Sequence, residues 1–205
     1  MSTDESQRRY WDRQAPSYDQ KMSFFERRLL RDTRPWICGQ AGGDTLEVAI
    51  GTGLNLPFYP RAVRLTGVEL SPVMLDLARR RAAALGRQVD LRLGTAHSLD
   101  FPDGSFDRVV CTLSLCAIPD DERAVAEMIR VLRPGGLLLL ADHVVGATWP
   151  VRVLQRLVEL FSVPCAGEHF RRRPLRHVRA GGMVVERHER FARGVIERFA
   201  ARKPG

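Results

Sequence analysis

Two glycines and one acid carry the chemistry legible in this sequence. Gly51 and Gly53 close the stretch Glu47-Val48-Ala49-Ile50-Gly51-Thr52-Gly53, and Glu69 stands 16 residues after Gly53. Glycines just past a strand let the chain turn sharply into a helix and let a ligand approach the backbone closely. A carboxylate at the end of the following strand can accept hydrogen bonds from both hydroxyls of a ribose. Together they point to a ligand built on adenosine. A dinucleotide fold adds a third glycine, G-x-G-x-x-G, because its helix N-terminus must hold a pyrophosphate. Here the third position is Leu56. The pattern therefore favours an adenosine ligand without phosphates at the turn over a nicotinamide dinucleotide.

The elements that must position these residues follow from periodicity. Strands are expected over residues 45–50, 63–70, 89–93, 106–113 and 137–145, with helices between them. Such alternation argues for a parallel sheet covered by helices. A short helix is expected over 54–59. The next opens with Ser71 as N-cap and Pro72 at its first position, buries Met74, Leu75, Ala78, Ala82 and Leu85, and ends at Gly86. The third strand alternates Val89, Leu91 and Leu93 with Asp90 and Arg92, as a sheet edge does. A helix is expected over 121–132, stopped by Arg133-Pro134-Gly135-Gly136. Beyond the fifth strand come an amphipathic helix over 149–161, an irregular stretch over 162–173, and strands over 183–191 and 195–199 flanking Gly194. The first 35 residues read as helical and lie outside the core pattern.

Length and composition narrow the function. A chain of 205 residues fits one domain with one substantial core. The net charge is +8, carried almost wholly by arginine, since Lys21 and Lys203 are the only lysines. A basic balance suits nucleic acid, an anionic membrane surface or an acidic substrate, but most of these arginines are scattered as on solvated helix faces. The exceptions are the triplets at 79–81 and 171–173. Cys38, Cys111, Cys116 and Cys165 show no C-x-x-C or zinc spacing, and Cys165 with His169 is too small a ligand set, so no metal is expected. No apolar run reaches 18 residues, and the first residues lack the apolar core of a secretory signal. A cytoplasmic location is the expectation.

The stretches LEVAIGTG, GVELSPVMLDLAR, GTAHSLDFPDGSFDRVV and RVLRPGG resemble the class I S-adenosylmethionine (SAM)-dependent methyltransferases of the methyltransferase-11, ubiquinone/menaquinone type, over nearly the whole chain. VVCTLSLCAIPD, GLNLPFYP and ADHV are similar to the thiol methyltransferases and to the bacterial phosphatidylethanolamine N-methyltransferases, and RRYWDRQAPSYD also resembles the latter. The resemblance implies a single α/β domain over 1–205 with a Rossmann-like, doubly wound, seven-stranded mixed sheet. Right-handed crossovers set the order of the first five strands, and the resemblance completes it as 3-2-1-4-5-7-6. It implies an N-terminal helical lid over 1–35, a substrate cap over 146–180, SAM as cofactor and S-adenosylhomocysteine as product.

It also assigns residues. Gly51 and Gly53 would back the methionine part, with Ala49 in place of the usual first glycine and Asn55 among the cofactor contacts. Glu69 would hold the ribose, and Leu70 and Met74 would flank the adenine. Thr95, Ala96 and His97 would lie at the adenine's polar edge. Thr95 replaces the common aspartate there, so the adenine amino group lacks its usual carboxylate, and His97 is a candidate substitute. Thr112 would face the transferred methyl, and Tyr10 and Tyr18 would close over the cofactor.

Methyl transfer is an in-line displacement that chiefly needs a dry, aligned acceptor. No triad or paired carboxylates stand out, and none is required for an amine or a thiolate. His143 is the one candidate catalytic residue. The acceptor pocket is expected over the carboxyl ends of the fourth and fifth strands, walled by Cys116, His143, Trp149, Leu154 and Leu157. Protonated His143 or the arginines at 171–173 would lower a thiol's pKa there. The expected partner is a small-molecule acceptor, a thiol in first place by the CTLSLC resemblance. The alternative is a phospholipid headgroup, reached through peripheral membrane contact of the Trp149 helix. Enzymes that methylate nucleobase amino groups carry Asn/Asp-Pro-Pro-aromatic where this chain has CTLSLC, so no nucleic acid is expected. The oligomeric state is not legible.

Overall fold

The computed structural model describes residues 3–25 and 29–205; residues 1, 2 and 26–28 of the expected N-terminal helical segment lie outside it. The strands are β1 (Asp44–Val48), β2 (Arg64–Glu69), β3 (Asp90–Leu93), β4 (Phe106–Thr112), β5 (Leu132–His143), β6 (Val184–Phe191) and β7 (Ile196–Arg202). The helices are α1 (Thr3–Phe25), α2 (Thr33–Cys38), α3 (Pro72–Ala84), α4 (Asp121–Val131), α5 (Trp149–Ala166) and α6 (Pro174–Ala180), with a 3-10 turn over Leu56–Phe58. All seven strands join one sheet in the order β3-β2-β1-β4-β5-β7-β6. β1 to β5 pair in parallel, and β7 runs antiparallel to both β5 and β6. The expected seven-stranded order is the observed one, with β3 at its edge.

Side chains alternate across a strand, so each central strand feeds two cores. Val109, Cys111, Leu138 and Leu140 pack against Val125 and Met128 of α4 and Val178 of α6. Val110, Leu137, Leu139 and Ala141 pack on the other face with Ile37 of α2 and Leu75 and Ala82 of α3. Because both faces are covered, the carboxyl ends of the strands are the place left for a ligand.

The structure corrects two expected boundaries and adds one helix. Arg133-Pro134-Gly135-Gly136 lies inside β5: Phe106 pairs with Leu132, the register shifts, and Arg108 pairs with Leu137. Gly135 takes φ +74°, and its N–H and the Gly136 carbonyl bond to Lys203 beyond β7. The β7 side thus satisfies a segment that reads as a chain break in the sequence. α5 runs on from Phe161 to Ala166 and stops at Gly167, which is left-handed at φ +67°. α6 starts with Pro174 at its first position and had no counterpart in the sequence reading.

Candidate active site

The turn after β1 is built from left-handed residues: Ala49 at φ +55°, Gly51 at φ +59° and Gly53 at φ +80°. The two glycines do different work. A Cβ on Gly53 would meet Leu56 Cδ1 at 2.8 Å and Ala78 Cα at 3.3 Å, so this glycine lets the turn seat against α3. A Cβ on Gly51 would meet nothing within 4 Å and would project into open space beside a ligand cavity. Ala49 holds a side chain in a region that costs an L-residue about 1–2 kcal/mol.

Glu69 ends β2 facing this turn. Its carboxylate accepts from the Gly51 N–H at 2.9 Å and the Ser71 N–H at 2.9 Å. Burial pushes its pKa up, and these backbone donors pull the other way. The Leu70 N–H acts on it as well, and since a carboxylate offers about four lone-pair sites, acceptor capacity remains for ribose hydroxyls. Ser71 in turn caps α3, accepting from the Met74 N–H at 3.1 Å.

A cavity lies between the strand ends and α1, with about 670 Å³ of space counting the open solvent at its mouth. Of the expected cofactor residues, Tyr18, Ala49, Gly51, Glu69, Leu70, Met74, Thr95, Ala96 and His97 line it. Gly53, Asn55, Thr112 and Tyr10 lie outside its lining. Asn55 sits behind the turn in a buried polar network. It donates to Glu47 at 2.7 Å and to Thr112 at 3.0 Å, and accepts from Arg34 at 2.7 Å. Tyr59 donates to the other Glu47 oxygen at 3.0 Å. Burial pushes the Glu47 pKa up to about 7, against the pull of Asn55 and Tyr59. Arg34 and Glu47 had no site role in the sequence analysis; Asn55 joins them here.

The roof is α1. Asp4, Gln7, Trp11 and Tyr18 line the cavity, and spacings of three, four and seven put them on one helix face. Tyr10 is one residue off that face, packs its ring edge-on to Trp11 at 5.0 Å, and interacts with Glu168 and Cys165. Trp11 therefore takes the place expected for Tyr10. Carboxylates fasten the helix to the core: Asp12 accepts from Ser71 at 2.6 Å, and Asp19 binds Thr52 at 2.6 Å and Arg81. His97 is another tie rather than a free contact. Its Nε2 accepts from the Asp120 N–H at 3.2 Å and its Nδ1 bonds Asp4 at 3.1 Å. With both ring nitrogens engaged, the His97 ring is not available as the expected substitute for the missing aspartate.

At the other end, Leu113, left-handed at φ +55°, and Ser114 form the floor where the chain leaves β4. Asp142 fixes this exit, accepting from the Ser114 N–H at 3.1 Å and the Cys116 N–H at 3.2 Å through one oxygen and from the His143 N–H through the other. His143 packs edge-on against Phe170 at 5.6 Å, and its buried Nδ1 has no hydrogen-bond partner. Burial lowers its pKa, with the Asp142 charge opposing, which disfavours the expected imidazolium. Cys116, Asp142 and His143 bring possible ligand atoms within 4.8 Å of one another.

Two further expectations fail. Of the five residues expected to wall the acceptor pocket, Cys116 and His143 lie outside the cavity's lining, and Trp149, Leu154 and Leu157, 75, 61 and 54% exposed, lie outside it too, because α5 packs through Gln155 and Glu159 instead. In the arginine triplet, Arg171 pairs with Glu159, and Arg172 donates to the carbonyls of Leu115, Ile118 and Pro119. Those two hold loops together.

A seven-stranded sheet of this order, with a glycine turn facing an acid at the end of β2, defines a class I SAM-dependent methyltransferase. Residues 46–140 match the family described as methyltransferase domain. An O-methyltransferase of Aspergillus nomiae is 32% identical over 160 residues, 76% of this chain and 70% of that protein. A phosphatidylethanolamine N-methyltransferase of Cereibacter sphaeroides is 38% identical over 59% of this chain and 61% of its own length. A human thiol S-methyltransferase is 34% identical over 64% and 56%. The matches thus span about 60% of the latter two proteins. The fold is shared with a SAM-dependent methyltransferase structure of Thermotoga maritima, at a TM-score of 0.72 and 23% identity over 95% of this chain and 99% of that one. This chain belongs to the SAM-dependent methyltransferase family, and SAM is the cofactor of that family. The open space at Gly51, the acceptor capacity of the Glu69 carboxylate and the apolar flank of Leu70 and Met74 fit its adenosine and methionine parts.

Proposed function

We propose that this chain transfers the SAM methyl group to a small, weakly polar acceptor, a thiol in first place. The observation that supports the reading is one cavity running from Glu69 to Leu113 and Ser114 at the β4 exit, which Asp142 holds from behind; His143 follows Asp142 in β5 and lies outside the cavity's lining, one residue back from that exit. A thiol must lose its proton before its sulfur attacks the methyl carbon and the bond to the sulfonium breaks. A free thiol has a pKa of about 8.5, and a neutral imidazole with an unpartnered nitrogen is suited to take that proton. Similarity to the human thiol S-methyltransferase supports the same choice. His143→Ala is expected to lower kcat with a thiol by about 100-fold, the usual scale of general-base loss, and to move the rise of rate with pH to higher pH. Binding of S-adenosylhomocysteine should not change. A mutant that turns over at the wild-type rate would remove His143 from the mechanism.

Similarity to the phosphatidylethanolamine N-methyltransferase supports the second reading, methylation of a lipid amine. A screen of SAM consumption against small thiols and against phosphatidylethanolamine vesicles separates the two. Background rates with every thiol, with turnover on the lipid, would replace the first reading by the second.

In this reading the adenine lies beside Thr95, and Asp4 supplies the carboxylate that Thr95 does not. Asp4 lines the cavity, and its Oδ1 is anchored by His97, leaving Oδ2 for the adenine amino group. Asp4→Asn should weaken S-adenosylhomocysteine binding about fivefold, one hydrogen bond of about 1 kcal/mol. Its inosine analogue, which has no amino group, should bind wild type and mutant alike. Equal losses for both ligands would mean that Asp4 only holds the roof in place.

A further inference from the structure

α5 is an amphipathic helix turned inside out. Two of its polar side chains, Gln155 and Glu159, face the protein. Gln155 donates to the carbonyls of Val144 and Phe170 at 2.9 and 2.8 Å and accepts from the Gly146 N–H at 2.8 Å. Glu159 holds the Arg171 N–H at 3.0 Å and its side chain. The apolar side chains Trp149, Val153, Leu154, Leu157, Leu160 and Phe161 are exposed. At 3.6 residues per turn all six fall within an arc of about 140°. Apolar residues scattered singly on a surface are ordinary, but a contiguous apolar helix face marks an interaction surface.

The charge pattern says what covers it. Arg156, exposed, borders the arc, and Arg152, also exposed, lies further round the helix and donates to the Gly146 and Ala147 carbonyls at 2.9 and 3.1 Å. Glu159 is the only acid on the helix, and it points inward. The chain as a whole carries +8. In a two-fold dimer through this face, the arginine borders of both copies would meet with no acid on α5 to pair with them. An anionic bilayer offers both needs at once: acyl chains for Trp149, Leu157 and Phe161, and lipid phosphates for the arginines. No described helix is long and apolar enough to cross a membrane, so α5 would lie in the interface plane.

We propose that α5 is a peripheral membrane-docking helix that inserts its outward apolar face into an anionic lipid surface. Its last turn meets the roof of the cofactor cavity, where Gln7 donates to the Ala166 carbonyl at 3.3 Å. Docking therefore sets the cavity roof beside the acyl layer, whichever acceptor is methylated.

Sedimentation with vesicles tests this independently of any activity. The full chain should pellet with equimolar phosphatidylglycerol and phosphatidylcholine and far less with phosphatidylcholine alone. Leu157→Glu combined with Phe161→Glu should lower the partition coefficient at least tenfold, while the melting temperature and S-adenosylhomocysteine affinity stay at wild-type values. Arg156→Gln should reduce the preference for anionic vesicles without abolishing binding. Retained vesicle binding in the double glutamate variant would overturn the assignment to α5. Failure of the wild type to pellet would overturn the proposal itself. If light scattering then showed a dimer that the glutamates dissociate, a second copy of the chain would be the occupant instead.

Discussion

Gly51→Val is expected to abolish binding of S-adenosylhomocysteine, with wild-type affinity in the micromolar range or tighter, about −8 kcal/mol or better. Two effects act together. Gly51 sits at φ +59°, where a β-branched side chain is an outlier. Its Cβ direction is empty of protein within 4 Å and opens on the cavity, so the valine methyls would fill space that the ligand needs. Gly51→Ala separates them. It carries most of the backbone cost but little of the volume, and should keep measurable, weakened binding. Calorimetry on variants that retain their helical circular dichroism reads the result. Wild-type affinity in the valine variant would mean that the turn does not contact the cofactor.

How much of this was legible depended on whether the signal was local. The order of the first five strands was, because each crossover helix carries its own caps and apolar face: Ser71, Pro72 and Gly86 bracket α3, and Asp120 caps α4; the place of the last two came from the family resemblance. The Gly51 and Glu69 pair was legible because backbone clearance and ribose recognition each demand one residue type at one strand end. Selecting Trp11 over Tyr10 was within reach, since only Trp11 lies two turns from Tyr18 on the same face.

Long-range contacts were not legible. Nothing near His97 in sequence shows that Asp120 and Asp4 occupy both its ring nitrogens. The bulge at Arg133–Gly136 reads as a helix stop followed by a turn, because the partner that satisfies it, Lys203, lies at the far end of the chain. α5 shows most clearly what pattern alone leaves open. Periodicity reveals an apolar face but not its direction, and here Gln155 and Glu159 find buried backbone partners that turn the helix over.

Glu69→Ala is expected to cost on the order of 2 kcal/mol in S-adenosylhomocysteine affinity, about 30-fold, because two hydroxyl bonds to a charged acceptor disappear. The same carboxylate holds the N–H groups of Gly51 and Ser71, so the alanine variant also orphans two donors and should lose stability by about 1–3 kcal/mol. A loss of affinity alone could therefore come from a loosened turn. A double-mutant cycle removes that ambiguity. The 2′-deoxy analogue of S-adenosylhomocysteine should bind wild type more weakly than the parent compound, yet bind Glu69→Ala as well as the parent does. The pH dependence adds a second sign. Burial raises the Glu69 pKa in the free protein, and only the ionised form accepts both hydroxyls. Ligand affinity should then fall on acidification through a pH range above that of an ordinary glutamate, about 4.3, and the alanine variant should not show that fall. If the deoxy analogue loses as much affinity in the mutant as in wild type, the ribose is held by another residue, and Glu69 only braces the turn.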